Sequence, residues 1–273
     1  FLDSADTIAT AKAMAALGAE IDWKHESRGW TLTIRGGRLA PPVAALDFGN
    51  SGTGMRLGAG LLAGMGAQLG SATTPIELVG DASLSRRPME RIVAPLLRQG
   101  AKIESTEGHA PLFVQPTVLQ GSAHELKVAS AQVKSAILLA GLNAEGVTSV
   151  VEPAPSRDHT ERLLEAFGIE VERHELTVRL VGQQKMVPGV HTVPGDLSSA
   201  AFIMAASLLV PDSEVLVRSV GLNPSRAGIL KIITAMSGHY SLEAQTAIGA
   251  EPVGDLLLKG TSLIGAALPA EWV

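Results

Sequence analysis

The segment RIVAPLLRQGAKI (91–103) decides how this chain is read. Apolar residues recur at helical spacing as far as Leu97, Gly100 follows, and alternation starts at Ala101. That glycine stands where the residue after a helix needs a positive φ, with a strand beginning beyond it. Working outward, the same phrase returns as AKAMAALGAEI (11–21) and ERLLEAFGIEV (161–171), closed by Gly18 and Gly168, and more loosely as ILKIITAMSGHYSL (229–242). Between these copies lie SGTGMRLGAGLLAG (51–64), SAQVKSAILLAGL (130–142) and SSAAFIMAASLLV (198–210). Each opens with serine and small residues and is apolar nearly all round, so all three are expected to be buried helices. TLTIRG (31–36), PIELVG (75–80), LTVRLVG (176–182) and SEVLVRSV (213–220) read as strands. Recurrence of one phrase at long intervals marks a repeated supersecondary unit, and the alternation of strand and helix makes the class α/β. The Pro/Gly-rich VPGVHTVPGD (187–196) reads as a crossing between domains, which places a first domain at 1–193 and the start of a second at 194–273.

Composition narrows the function. The chain has 273 residues, 46% hydrophobic and 18% charged, with a net charge of −5 and no cysteine. Disulfides and thiolate metal sites are excluded, and the lack of cysteine fits a reducing cytoplasm. An acidic chain of this kind is not a nucleic-acid binder, and any anion must be held by a local cluster of cations. No apolar run reaches the ~18 residues of a membrane span, and no signal-peptide pattern opens the chain. A first residue other than Met, a helical pattern that begins almost at once and an ending in LPAEWV are read as a piece of a longer protein.

Three helix starts carry the candidate chemistry. In LDFGNSGTGMR (46–56) an apolar run gives way to Gly49, Asn50, Ser51, Gly52 and Thr53, with Arg56 one turn on. Backbone N–H groups at a helix N-terminus attract anions, and small residues allow close approach. The alternative is a tight turn that needs glycine for its φ alone. GDASLSRRPMERI (80–92) places Arg86 and Arg87 before Pro88, expected at the first position of a helix, where cations are disfavoured unless an anion joins them. ASAQVKSA (129–136) offers Ser130, Ala131 and Gln132 at a third helix start, suited to a phosphate or to sugar hydroxyls, although Ser130 could serve only as a cap. PSRDHTERLLEAFG (155–168) puts Arg157 before a capping box formed by Asp158 and Glu161. Asp158 and His159 have no further ligand at helical spacing, so a metal is not expected. No Walker, GxSxG or HExxH pattern occurs.

LDFGNSGTGMR, GDASLSRRPM, ASAQVKSAILLAGLN, EPAPSRDHTE and PGDLSSAAF, in this order, resemble the 5-enolpyruvylshikimate-3-phosphate (EPSP) synthase family, and most nearly its bacterial class that includes glyphosate-tolerant forms. The resemblance implies two similar domains of βαβαββ units, each an inside-out α/β barrel-like body, with only part of the second present. It implies transfer of enolpyruvyl from phosphoenolpyruvate to the 5-hydroxyl of shikimate 3-phosphate, releasing phosphate, in the cytoplasm and with no metal or organic cofactor. Carried over by motif, Ser130, Ala131, Gln132 and Arg157 hold shikimate 3-phosphate, while Asn50, Gly52, Arg87 and Gln132 face phosphoenolpyruvate or glyphosate, and Arg56 supports the Gly52 loop. Alanine in place of Gly52 accompanies glyphosate tolerance in the family. The family's PGDKSISHR, DEYP and KESDR segments, which include its acid and base, find no match between Phe1 and Val273, so no catalytic residue is assigned. The chain is expected to be inactive alone, with a C-terminal piece as a partner that completes it. A non-catalytic module that binds shikimate 3-phosphate is the alternative. The related cell-wall enolpyruvyltransferase family typically uses a cysteine, which this chain lacks.

Overall fold

The computed structural model describes residues 2–26, 29–37, 39–69, 74–269 and 272. In chain order the elements are α1 (Ala5–Ala16), β1 (Glu20–Glu26), β2 (Gly29–Arg35), β3 (Leu46–Asp47), α2 (Gly52–Ala63), α3 (Gly66–Leu69) and β4 (Ile76–Val79). A 3-10 turn (Leu84–Arg86) precedes α4 (Glu90–Arg98), β5 (Lys102–Thr106), β6 (His109–Gln115), β7 (Ala123–Glu125), α5 (Ala131–Gly141) and β8 (Val147–Val151). Then come α6 (His159–Ala166), β9 (Val171–His174), β10 (Thr177–Val181), α7 (Leu197–Leu209), β11 (Glu214–Gly221), α8 (Gly228–Ala235), β12 (His239–Ile248) and β13 (Glu251–Lys259).

The repeat inferred from the closing glycines is visible in the sheets. One four-stranded sheet runs β3-β4-β6-β5 and another β7-β8-β10-β9. In each, the first two strands are parallel and the rest antiparallel. The third sheet, β11-β13-β12, continues the scheme, with a parallel bridge from Gly195 to Val220 in place of a first strand. Each copy is therefore β-α-β-α-β-β, and α1 with the β1–β2 hairpin has the α-β-β order that ends such a unit. Gly18, Gly100 and Gly168 have φ of 98°, 90° and 77°, so they turn the chain out of each helix as the pattern requires. In the looser copy the positive φ falls on Ser237, at 60°, rather than on Gly238.

The chain divides into two compact units: 1–156 with 169–186, and 157–168 with 187–273. The break at 186/187 lies seven residues before the 193/194 division read from sequence. The transfer of 157–168 has a local cause: Arg162 donates to the Ala250 carbonyl at 2.8 Å, Asn223 to Asp158 at 2.7 Å, and the Val187 N–H to the Phe167 carbonyl at 2.8 Å.

In the first unit α2 and α5 meet at backbone distance. A Cβ on Gly60 would lie 2.2 Å from the Ala136 carbonyl oxygen and one on Gly64 2.6 Å from that of Ala140, so the two glycines permit the approach. Both helices are buried on nearly every side, as expected. The second unit has its own core, in which Leu197, Met204 and Leu208 of α7 pack with Leu230, Ile233, Leu256 and Leu258. There the expectation of a fully buried third helix fails: Phe202, Ile203 and Leu209 of α7 are 81%, 58% and 67% exposed. The three-stranded sheet packs on one side of α7, and among the described residues these three side chains on the other side stay exposed.

Candidate functional site

In the first unit the candidate residues converge from three stretches far apart in sequence. Ser51 caps α2, its hydroxyl accepting from the Gly54 N–H at 3.1 Å, and the helix begins at Gly52, whose own N–H donates to the Asn50 carbonyl at 2.9 Å. Arg56, one turn on, is 7% exposed. Its guanidinium donates to Gln132 Oε1 at 2.7 Å and to the Pro88 carbonyl at 3.1 Å. Gln132 in turn donates to Thr53 Oγ1 at 2.8 Å. Arg87 Nη2 donates to Asn50 Oδ1, and Asn50 Nδ2 reaches both carboxylate oxygens of Asp81 at 3.0 and 2.8 Å. Asn50, Gly52, Arg56, Arg87 and Gln132 thus form one contiguous cluster, with Ser130 and Ala131 at the adjoining start of α5. Ser130 caps that helix, accepting from the Val133 N–H at 3.5 Å.

Gly52 answers whether this loop needs glycine for its turn. Its φ is not in the left-handed region, whereas that of Gly49 is 53°. What Gly52 supplies is room, because a Cβ there would stand 3.0 Å from Arg87 Nη1 and 3.3 Å from Arg56 Nη1. The electrostatics agree with an anion site. Burial lowers the pKa of the Arg56 guanidinium, and the neighbouring charges of Arg91 and Arg87 lower it further. Like charges held this close are relieved when an anion enters.

Two details of the sequence reading are corrected. Arg86 and Arg87 do not open a helix: Arg86 ends the 3-10 turn, Arg87 is extended, and α4 starts at Glu90, two residues beyond Pro88. The cations stand on the loop that enters the cluster, where no helix dipole opposes them. The Asp158–Glu161 capping box is not formed either. Asp158 instead accepts from Arg162 Nε at 2.8 Å and from Asn223 at 2.7 Å, since these donors carry more than the α6 backbone offers.

Arg157 belongs to the second unit, where it is exposed and lines a cavity of about 440 Å³ together with His159, Arg162, Asn223, Arg226 and Glu251. Asn223, 2% exposed, holds this region together. Its amide donates to Asp158 at 2.7 Å and Glu251 at 3.0 Å, and its oxygen accepts from Ser225 N at 2.9 Å and Ser225 Oγ at 2.6 Å. His159 Nδ1 lies 2.7 Å from Glu251 Oε1. Asn223 and Asp81 are residues of the candidate site that sequence reasoning missed. For Asp81 the signal was available, since an Asp one residue beyond a strand and three before Leu84 suits an Asx turn. Asn223 carried no such mark.

The comparisons with known proteins point the same way. The family profile described as EPSP synthase (3-phosphoshikimate 1-carboxyvinyltransferase) matches residues 1–268. A 3-phosphoshikimate 1-carboxyvinyltransferase of Brevibacillus brevis is 46% identical over 97% of this chain and 61% of its own length. That of Acidithiobacillus ferrooxidans is 44% identical over the whole chain, again 61% of its own length. Among solved structures, EPSP synthase from Acinetobacter baumannii superposes with a TM-score of 0.87 at 42% identity, covering 100% of this chain and 61% of that one. The chain therefore spans about three-fifths of the length of the relatives it matches. No helix among the described residues is long and apolar enough to cross a membrane. Taken with the three β-α-β-α-β-β copies and the arginine cluster around Gly52, these matches show that the chain belongs to the EPSP synthase family.

Proposed function

We propose that this chain supplies the phosphoenolpyruvate contacts and part of the shikimate 3-phosphate contacts of a cytoplasmic enolpyruvyl transferase. In the reaction the bond between C2 of phosphoenolpyruvate and its phosphate oxygen breaks, and C2 bonds to the 5-hydroxyl oxygen of shikimate 3-phosphate. The hydroxyl proton is balanced in the hydrogen phosphate released. The observation that carries this reading is the convergence of Asn50, Gly52, Arg87 and Gln132 around the buried Arg56 guanidinium.

Each group has a part in it. Arg87 matches a carboxylate or phosphate by geometry as well as charge. Asn50 and Gln132 orient neutral dipoles beside it, and Gly52 leaves the ligand its space. Ser130, Ala131 and Gln132 at the start of α5 suit the second substrate. Arg157, which has no hydrogen bond or ion pair among the described residues, is free to meet its phosphate. Residues 1–193 are read as the shikimate 3-phosphate domain and 194–273 as the opening of a second domain.

No positioned acid or base is assigned among these residues, and each contributes roughly 10²–10⁴-fold to such a reaction. We therefore expect no measurable turnover from the chain alone. The partner that completes it is the polypeptide equivalent to the two-fifths of the relatives outside the match, whether continuous with this chain or separate. The open apolar face of α7 supports this reading, since its counterparts α2 and α5 are covered by each other.

Phosphate release measured with the 273 residues, with and without that polypeptide, tests the proposal: activity is expected only with it. Calorimetry with shikimate 3-phosphate tests the binding half. Arg157→Ala and Ser130→Ala are each expected to weaken binding about tenfold to a hundredfold for loss of a charge-assisted bond. Unchanged binding in both variants would refute the assigned pocket.

A further inference from the structure

Asp81 lies beside the cluster and bonds Asn50. It follows β4, one residue beyond Gly80, and its own N–H donates to the Gly49 carbonyl at 2.8 Å. Its carboxylate accepts the N–H groups of Ser83 at 2.9 Å and Leu84 at 2.8 Å, which folds the turn that delivers Arg87. The same carboxylate accepts Asn50 Nδ2 through both oxygens. One acidic side chain thus ties the loop after β3, which carries Asn50, to the loop after β4, which carries Arg87.

The polarity of these neighbours leaves one arrangement. A carboxylate only accepts, so the edge of Asn50 that faces Asp81 is its NH₂. The other edge, Oδ1, is turned toward Arg87, whose guanidinium only donates. The amide of Asn50 is therefore oriented by two groups of fixed and opposite character, and Arg87 is held through it. The bond from Asn50, followed by that from the Leu84 N–H, keeps the Asp81 carboxyl below its ordinary range. A negative charge beside a site for an anion is unfavourable by itself, so its place here calls for a task other than ligand contact.

We propose that Asp81 is a positioning residue for the phosphoenolpyruvate half of the site, orienting the Asn50 amide and through it setting the Arg87 guanidinium before the ligand arrives. The inference rests on the assignment of Asn50 and Arg87 to phosphoenolpyruvate. In Asp81→Asn the oxygen that serves the turn keeps only its longer contact with Asn50, and the new NH₂ replaces the oxygen of the shorter one, facing the NH₂ of Asn50. Asn50 shifts from that group, and the bond it accepts from Arg87 is weakened.

Side-chain NMR of the ¹⁵N-labelled 273-residue chain tests this without any need for turnover. The Asn50 NH₂ pair is identified by its absence in Asn50→Ala, and the guanidinium signals of Arg87 by their absence in Arg87→Lys. In Asp81→Asn both the Asn50 pair and the Arg87 signals are expected to move. Phosphoenolpyruvate affinity, followed at the Gly52 and Thr53 amides, is expected to fall about tenfold or more, with shikimate 3-phosphate affinity unchanged. Asn50 and Arg87 signals left in place would overturn the proposal. So would an equal loss for both ligands accompanied by a lowered Tm, which is the mark of a merely structural role. Should Asp81→Asn not fold, Asn50→Ala decides: Arg87 signals unmoved in that variant overturn the relay. If phosphoenolpyruvate shifts none of these groups in the unmodified chain, its assignment to the site fails together with Asp81's role toward it. That outcome is told apart because the Asn50 signals still respond to Asp81→Asn.

Discussion

Helices α5 and α7 are written in the same style, serine and small residues first and then an apolar run, yet their surroundings are opposite. In α5 Val133, Ala136, Ile137, Leu138 and Ala140 are all buried, and α2 lies against it close enough for Gly60 to touch the Ala136 carbonyl. In α7 Leu197, Met204 and Leu208 reach the core of their unit while Phe202, Ile203 and Leu209 face solvent. The difference teaches that an apolar run calls for burial on all sides, but whether it is met depends on what the fold packs against it, as α2 does for α5 and as nothing does for the exposed face of α7 among the described residues.

The largest effects are expected where the first unit is closed. Lys134 of α5, 2% exposed, donates to Glu152, 5% exposed, at 2.7 Å. Lys134→Ala leaves a buried carboxylate without this partner and should cost about 3–5 kcal/mol in urea unfolding. Lys134→Met combined with Glu152→Leu should recover most of that loss. A loss under about 1 kcal/mol for Lys134→Ala would show that this part of α5 is wet, and would remove the contrast with α7.

Gly60→Ala is expected to cost about 1–3 kcal/mol, because the obstacle is backbone rather than the end of a side chain. The same kind of test on the open side is Phe202→Ser, expected within about 0.5 kcal/mol in thermal melts of the chain. In the presence of the complementing polypeptide it should abolish association. A large loss in the chain alone would mean that α7 is covered after all.

The capping of α7 gives an intermediate effect. Asp196 accepts from the N–H groups of Ser198 and Ser199, both at 3.1 Å, and from Arg226 at 3.1 Å. Burial raises its pKa, but the bonds from Ser199, Ser198 and Arg226 together outweigh this and leave it lowered. Its contribution is therefore full above the ordinary carboxylate range and is lost as pH falls through the lowered pKa. Asp196→Ala should cost about 1 kcal/mol at neutral pH, with the difference from the unmodified chain closing in acid. A difference that stays constant to low pH would refute the cap.

Gly52→Ala should have the smallest effect on stability, since its φ is ordinary and only the ends of two arginines must give way. In a completed enzyme it is expected to weaken glyphosate inhibition more than it raises the KM for phosphoenolpyruvate, the shorter ligand. Equal loss for both with a lowered Tm would show that the glycine serves the fold.

Much of this was legible in the order of residues. The closing glycines marked three helix ends with positive φ, and the serine-led apolar runs marked α2, α5 and α7. The small residues around Gly52 marked the place where two guanidinium groups converge. What was not legible has physical causes. Arg86 and Arg87 precede a proline, which suggested a helix start, but Asp81 captures the Ser83 and Leu84 N–H groups and makes a 3-10 turn instead. Asp158 fitted a capping box until Arg162 and Asn223 offered it stronger donors.

The sequence by itself determined the local geometry and its repetition, because propensity, capping and glycine's freedom of φ act over a few residues and recur wherever the same residues do. It determined the family too, since five motifs in order fit one protein type. Only the tertiary structure decided that Gly52 supplies room rather than a turn and that Asn50 and Arg87 are joined through one amide. It alone decided that α7 is left half open. Each of these depends on groups dozens of residues apart, and no local preference encodes whether such groups meet.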